Sequence, residues 1–401
     1  MLSHILSAVA LLIFGSWAYS LFSNYQAARK FGLPIIILPF SWQFPLWPLI
    51  QPLCTWMPQT LPFGMGQWVR YSMLGWSFND LYETHSRLGP AFVLVSAWKT
   101  EVIIADMNAV ETVMKNPRAW MNDPVLFSLF DVFGPQIMSV NGNDWQRHRK
   151  VTGAAFKEEN ARAVWYASLR QAEAWSKVIA SRQGEDVITL AKATELTHVV
   201  ALHVLSAGGF GRECDFEKGT TQPEEGHSMS YGQSLSVIMQ NILMTAILFS
   251  ALKLPRIILP AALKKLSIAV DEFGKYMKER VEDVKQGALS DLTVKGNLMS
   301  ALVEANESEK QEAAKGTSTG SFLTDEEMYG NLFMYNVAGY ETTANALAFA
   351  LPLLAGYPKV QEWVFEEVSE VFETGGDEVT YEDGFPKLVR TLAIMVSFVI
   401  D

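Results

Sequence analysis

From Leu2 to Phe22 the chain carries no charged residue, and the stretch ILSAVALLIFGSWAYSLF is almost wholly apolar. As a helix it would reach about 30 Å, the thickness of one hydrocarbon core. Trp17 and Tyr19 stand near its end, where amphipathic rings favour the headgroup level. Arg29 and Lys30 follow, and only the amino terminus and His4 precede. By the loop-charge rule a single span at residues 1–23 leaves the body of the chain in the cytosol. A cleaved signal would want a basic start, a shorter apolar core and a small-residue cleavage site, so the reading is a retained anchor.

Apolar residues make up 49% of the 401 and charged residues 19%, which excludes disorder and supports a large packed core. The net charge of −11 disfavours nucleic acid as a partner. Cys54 and Cys214 are the two cysteines, too few for a disulfide framework or a four-thiolate metal site, and they fit a reducing compartment.

Residues 24–63 hold Pro34, Pro39, Pro45, Pro48, Pro52, Pro58 and Pro62. Each ring removes a donor, so no helix is expected there. The segment reads as a stiff membrane-proximal hinge with Trp42, Phe44, Trp47 and Trp56 at the lipid surface. A proline-rich wrap over the core fits it equally.

The body, 64–401, reads as mainly helical with a small early sheet. Strands are predicted at 91–97 and 101–106. Helices are predicted at 78–88, 108–114 (capped by Asn108), 143–156, 158–181, 191–206, 234–252, 262–286, 294–306, 325–355 and 358–372. Between Glu225 and Lys253 no residue is charged, but Gln240 and Asn241 sit mid-run, so a buried or membrane-dipping helix is favoured over a second span. Residues 307–321 read as a solvated loop. Within it, Gly316 to Gly320 matches the hydrolase pattern G-x-S-x-G around Ser318, without the strand that pattern needs.

Two clusters could carry chemistry. Thr324 and Glu327 form a capping box that opens a long helix. That helix carries Ala338-Gly339-Tyr340-Glu341-Thr342-Thr343. Glycine in mid-helix costs about 1 kcal/mol, which points to close approach by a neighbour. Ala338 and Thr342 share a face, and the threonine hydroxyl can bond carbonyl 338 and open a shallow groove. Either this is a small-residue bay beside a hydroxyl and a carboxylate, or it is a packing notch with a stray acid. In the second cluster Trp145 and Arg149 share a helical face, an arrangement suited to a planar anion. The blander reading of Arg147-His148-Arg149-Lys150 is a solvated basic helix start.

In order and spacing the two clusters resemble one family. Anchor, proline-rich hinge, small sheet, Trp-x-x-x-Arg helix and a distant Ala-Gly-x-Glu-Thr-Thr helix are similar to a microsomal cytochrome P450 of the fungal membrane-bound type, a haem-thiolate monooxygenase. Tyr357-Pro358, Glu366-Glu367-Val368 and Phe385-Pro386-Lys387-Leu388 extend the resemblance over residues 1–395. It implies the cytochrome P450 fold, mainly α, with haem b against Ala338 and Gly339. Trp145 and Arg149, with His148 as helper, would meet its propionates, and Thr342 with Glu341 would organise proton delivery. Residues 234–249 and the segment near Phe127 and Phe133 would surround an apolar substrate. Electrons would come from NADPH through a membrane-bound reductase, and one atom of O2 would enter the substrate. The implied place is the endoplasmic reticulum membrane.

The family also has a later Glu-x-x-Arg helix and a cysteine loop supplying the thiolate, and neither occurs in these residues. Cys214, in Gly211-Arg212-Glu213-Cys214, mimics only part of that loop, and Cys54 lies in the hinge. The expectation is a chain truncated at its C-terminus as a gene product or gene model, with no metal ligand of its own. Val396-Ser397 can be encoded as GTAAGT, the form of an unspliced donor site. The alternatives are a catalytically inactive membrane-anchored fragment that competes for a reductase, and a hydrolase using Ser318.

Overall fold

A computed structural model describes residues 2–44, 47–57, 61–62, 65–180, 193–214, 216, 222–242, 244–245, 259–286, 296–316, 320–374 and 379–400. The chain divides into two compact units, Met1–Trp120 and Met121–Asp401.

The first unit is organised by the strand sequence AFVLVS. Helix α1 (Leu2–Arg29) leads to β1 (Ile35–Leu38), and α2 (Trp47–Cys54), α3 (Trp68–Tyr71), α4 (Trp76–Asp80) and α5 (Glu83–Leu88) follow. Strands β2 (Ala91–Ser96) and β3 (Thr100–Ile104) and helix α6 (Met107–Lys115) complete the unit. The sheet order is β1-β2-β3, with β1 parallel to β2 in the register Ile35↔Val93 and β3 antiparallel in the register Val93↔Val102. A continuous apolar strand is one buried on both faces. Phe92 and Leu94 pack with Leu38, Tyr71 and Trp76, while Val93 and Val95 pack with Ala28 of α1.

Four expectations change here. Within 24–63, α1 runs unbroken to Arg29, β1 joins the sheet, and Trp47 is fully buried rather than at a lipid surface. A helix does form among the prolines, because Pro52 of α2 comes two residues before the helix ends and forfeits only one bond. The stretch 78–88 is two helices, broken where Leu81 takes a φ of 51°. Asp106, not Asn108, caps α6, its Oδ1 accepting from the Ala109 N–H at 2.8 Å. Pro45 and Pro58 lie outside the described residues.

The second unit is helical. Its elements are α7 (Pro124–Phe127), α8 (Gly142–Gly153), α9 (Glu158–Ala180), α10 (Ala193–Phe210), α11 (Tyr231–Gln240), α12 (Ala261–Lys285) and α13 (Leu298–Ala314). The long α14 (Asp325–Gly356) follows, then α15 (Pro358–Thr374), α16 (Tyr381–Gly384) and α17 (Val389–Ile400). Phe273, Met299, Leu302, Leu332 and Phe333 are fully buried at its centre. The backbone at Gly134 crosses α14 at Gly330 so closely that a Cβ on Gly330 would stand 2.3 Å from the Gly134 carbonyl oxygen.

Residues 307–314 extend α13 instead of forming a loop, since Glu, Lys, Gln and Ala are good helix formers and Lys310 pairs with Glu307 at 2.9 Å. The uncharged run after Glu225 is in its described part the buried helix α11, with Leu235, Ile238 and Met239 in the core. Ser318 lies outside the described residues. At the far end Glu367 of α15 accepts from the N–H groups of Arg390 (2.6 Å) and Thr391 (3.0 Å), capping α17.

Candidate active site

Helix α14 begins where its sequence says it should. Thr324 Oγ1 accepts from the Glu327 N–H at 3.2 Å and Glu327 Oε2 from the Thr324 N–H at 2.8 Å, a reciprocal capping box. From there a stripe at helical spacing runs through Glu327, Asn331, Tyr335, Ala338 and Thr342. Its first half is tied to α8. Glu327 takes both Arg147 terminal nitrogens at 2.6 Å, Asn331 Nδ2 meets His148 Nδ1 at 3.0 Å, and the Tyr335 hydroxyl donates to the Thr152 carbonyl at 3.1 Å.

Beyond Tyr335 the stripe leaves α8 behind. Ala338 and Thr342 are exposed. The Thr342 hydroxyl donates to the Ala338 carbonyl at 2.5 Å, the back-bond that loosens a helical ladder and presents a hydroxyl oxygen on an open face. On α8, Trp145 is half-buried and Arg149 exposed, one helical turn apart. Arg149 is near enough to Tyr335 for its charge to act on that phenol, whose pKa burial raises. Arg149 therefore stands near the turn of α14 that leads into Ala338 and Thr342, and Trp145 lies one turn earlier on α8.

Two candidates do not join that face. His148 is fully buried and held against α14; its Nε2 lies 3.3 Å from Glu327 Oε1 without meeting hydrogen-bond geometry, and burial lowers its pKa despite the carboxylate. It ties helices together instead of reaching an external anion. Gly339 faces α10, where a Cβ would stand 3.1 Å from Leu205 Cδ1. Two helices meet at this glycine.

Glu341 is half-buried beside a cleft of about 820 Å³ between α10, α11 and α14, shared with His198, Gln233, Ser236, Lys265 and Tyr340. Carboxylate and hydroxyl thus sit on adjacent faces of one turn. Residues of α11 line this cleft, and of 234–249 residues 243 and 246–249 lie outside the described residues. Phe133 packs against Phe273 (5.6 Å) and Phe333 (5.0 Å) and lines a different cleft, with Val270 and Tyr329, from the one beside Glu341.

Sequence reasoning missed the Arg147–Glu327 and His148–Asn331 ties. Glu327 was legible as a cap, and nothing local marks it as the partner of a residue so distant in the chain.

The cytochrome P450 family model matches residues 57–384. The chain belongs to the cytochrome P450 family. It is 28% identical over 395 residues to a cytochrome P450 monooxygenase of Arthrobotrys oligospora, covering 94% of this chain and 66% of that protein. It is 29% identical over 391 residues to one from Penicillium roqueforti, covering 92% of this chain and 64% of that one. The chain thus spans just under two thirds of the length of these curated relatives. A zebrafish cytochrome P450 solved with progesterone superposes with a TM-score of 0.57 at 17% identity, over 78% of this chain and 68% of that one.

The group this cytochrome P450 family implies is a haem. Its fit can be tested on donor chemistry. An exposed arginine and an indole on one face suit carboxylate side arms, and the small Ala338 with the Thr342 hydroxyl suits the oxygen-binding side of a flat macrocycle. No described thiol stands on that face. Cys214 sits among α9, α10 and α11, its carbonyl accepting from Gln171 at 3.0 Å, and burial pushes its thiol up, away from the thiolate an iron ligand requires. Cys54 is buried with Trp47 and Val69 in the first unit. Among the described residues no group of three or more His, Cys, Asp or Glu side chains could hold a metal ion.

Proposed function

We propose that this chain provides the oxygen-side wall and propionate-binding edge of a membrane-anchored haem monooxygenase acting on an apolar organic substrate. The observation that carries the reading is the Thr342–Ala338 back-bond on the open half of the α14 stripe, one turn beyond Tyr335, whose phenol feels the Arg149 charge. When bound, the haem supplies the activation of O2 that no side chain can. The chain's own groups do the rest. Arg149 and the Trp145 N–H orient two carboxylates by charge and hydrogen bonding. The Thr342 hydroxyl, anchored through its own hydrogen to carbonyl 338, keeps its oxygen available to accept and pass a proton. Glu341 joins that turn to the cleft beside α11 and is the group through which solvent protons reach it. The apolar anchor, with Arg29 and Lys30 after it, supports a cytosol-facing body on the endoplasmic reticulum membrane, where a membrane-bound reductase would deliver electrons from NADPH.

In a chain continued through a family cysteine loop, Thr342→Ala is expected to lower substrate oxidation by roughly 100-fold while Thr342→Ser keeps most of it, because only a hydroxyl handles the proton. Product formed per O2 consumed is the readout, and an unchanged ratio in Thr342→Ala would remove the role given to this residue. A polypeptide of these 401 residues alone is expected to give no reduced carbon-monoxide difference band of the haem-thiolate type, since neither Cys54 nor Cys214 can supply the ligand. A normal band would overturn that statement.

A further inference from the structure

Gly339 lets α10 come close to α14, and the approach brings more than Leu205. Leu205 fills the notch, its Cδ1 3.1 Å from the place of a Cβ on Gly339. Leu202 and His198 lie one and two turns earlier on the same face of α10. His198 thereby meets the ring of Tyr340, the residue between Gly339 and Glu341, edge-on at 5.4 Å and 78°. The His198 Nδ1 is 2.6 Å from the Thr194 carbonyl oxygen. A carbonyl only accepts, so Nδ1 carries a hydrogen and that edge of the ring is turned back on its own helix. Nε2, on the other edge, is the nitrogen left for solvent, and among the described residues no hydrogen bond occupies it.

His198 and Glu341 border the same cleft of about 820 Å³. The other charged and titratable groups around it are Glu195 on α10, Lys265 on α12 and Tyr340 on α14, whose hydroxyl is engaged with Ser236. Helix α11 contributes no charge there; its polar groups are Gln233, Ser236 and Gln240. Of these side-chain types, imidazole is the one that both takes and gives a proton near neutrality. Among the described residues no hydrogen bond joins His198 to Glu341, and the cleft is polar and roomy enough for water to span them.

Resting on the proton-delivery role given to Glu341, we infer that His198 is a positioning residue of that path: it takes protons from bulk water and hands them to Glu341 through water in the cleft. The proton on Nε2 passes to a bridging water, which gives one to the Glu341 carboxylate, and Nε2 is reloaded from solvent. Nδ1 keeps its hydrogen throughout, because the Thr194 carbonyl holds it. Gly339 then serves the same end without touching a proton, since the close approach of α10 is what sets the imidazole beside the turn of Glu341.

The test uses the haem-loaded enzyme, this chain continued through a family cysteine loop. Deuterium exchange at the imidazole C2 position, read residue by residue by mass spectrometry, is expected to be several-fold faster at His198 than at the buried His148 and His203. Exchange at His198 as slow as theirs would leave the ring without water and overturn the inference. His198→Phe keeps a ring against Tyr340 and carries no proton. It is expected to lower turnover about 10-fold at unchanged KM and to raise the solvent isotope effect on product formation, which a purely structural ring would not move. Glu341→Gln is measured alongside. Slowed turnover in Glu341→Gln with normal turnover in His198→Phe would overturn the relay and leave Glu341 its role. Normal turnover in both would remove the role of Glu341, and this inference with it.

Discussion

Gly330→Ala is expected to destabilise the helical unit by about 3 kcal/mol or more, at the upper end of overpacking in cores. The new Cβ would lie 2.3 Å from the Gly134 carbonyl oxygen, 2.5 Å from that of Pro135 and 2.8 Å from the Gly134 carbonyl carbon. These are backbone atoms and cannot rotate aside as a side chain would. Gly134 itself holds a φ of 138° and has the Glu326 carbonyl oxygen 2.2 Å from the place of its own Cβ, so it has no room to retreat. The urea midpoint should fall by about 1 M or more with the slope unchanged. Gly153→Ala is the control: that glycine is the last residue of α8, has nothing within 4 Å of its Cβ position, and should gain up to about 1 kcal/mol. If the two variants unfold alike, the close crossing of α14 is wrong.

The second large effect belongs to Glu327. Its carboxylate receives both Arg147 terminal nitrogens at 2.6 Å and the Thr324 N–H at 2.8 Å, and only 12% of the side chain is exposed. Burial alone would raise its pKa. The Arg147 guanidinium and the capping N–H outweigh burial and hold it at about 2, against 4.5 for a free glutamate. Because the folded value is depressed, the stabilisation is fully present above about pH 4.5 and is lost as pH falls toward about 2. That difference is worth about 3 kcal/mol. Glu327→Ala should cost about 3 kcal/mol at neutral pH, for it leaves Arg147 with only Asp144 and the Phe322 carbonyl and removes the half of the capping box that holds the Thr324 N–H. Glu327→Gln keeps the cap and should cost less, but it should flatten the fall in stability between about pH 4.5 and 2 relative to the unsubstituted chain. Chemical denaturation across that window measures it, and an unaltered acid limb in Glu327→Gln would show that the pair does not set it.

These two residues also mark how far the sequence could be read. Glu327 was visible as a cap because capping is a matter of three residues, and the structure has that box. Its bond to Arg147 joins positions 180 apart, which no local pattern encodes. Gly330 and Gly339 lie on the same helix, and the motif drew notice only to Gly339. In the structure Gly339 meets a side chain that can shift, and Gly330 meets backbone that cannot. His148 shows the same limit: its place among basic residues suggested an external anion, and its burial against Asn331 came from the crossing of α8 and α14. In the first unit the proline count argued correctly against a long helix and wrongly against any helix, because the short α2 tolerates what a long helix does not.

By itself the sequence determined what is local. The apolar run of α1, the doubly buried β2, the start of α14 at Thr324, the Thr342–Ala338 back-bond and the two clusters of the P450 family all follow from spacing, caps and side-chain chemistry within a few residues. Tertiary structure alone decided which faces met: that α1 docks on the sheet, that the stripe from Glu327 to Tyr335 is covered by α8 while Ala338 and Thr342 stay open, and that Cys214 packs as a thiol. Local hydrogen bonds and periodic burial are written into neighbouring residues. The pairing of distant surfaces depends on how whole helices pack, a sum of many small contacts that no short stretch of sequence carries.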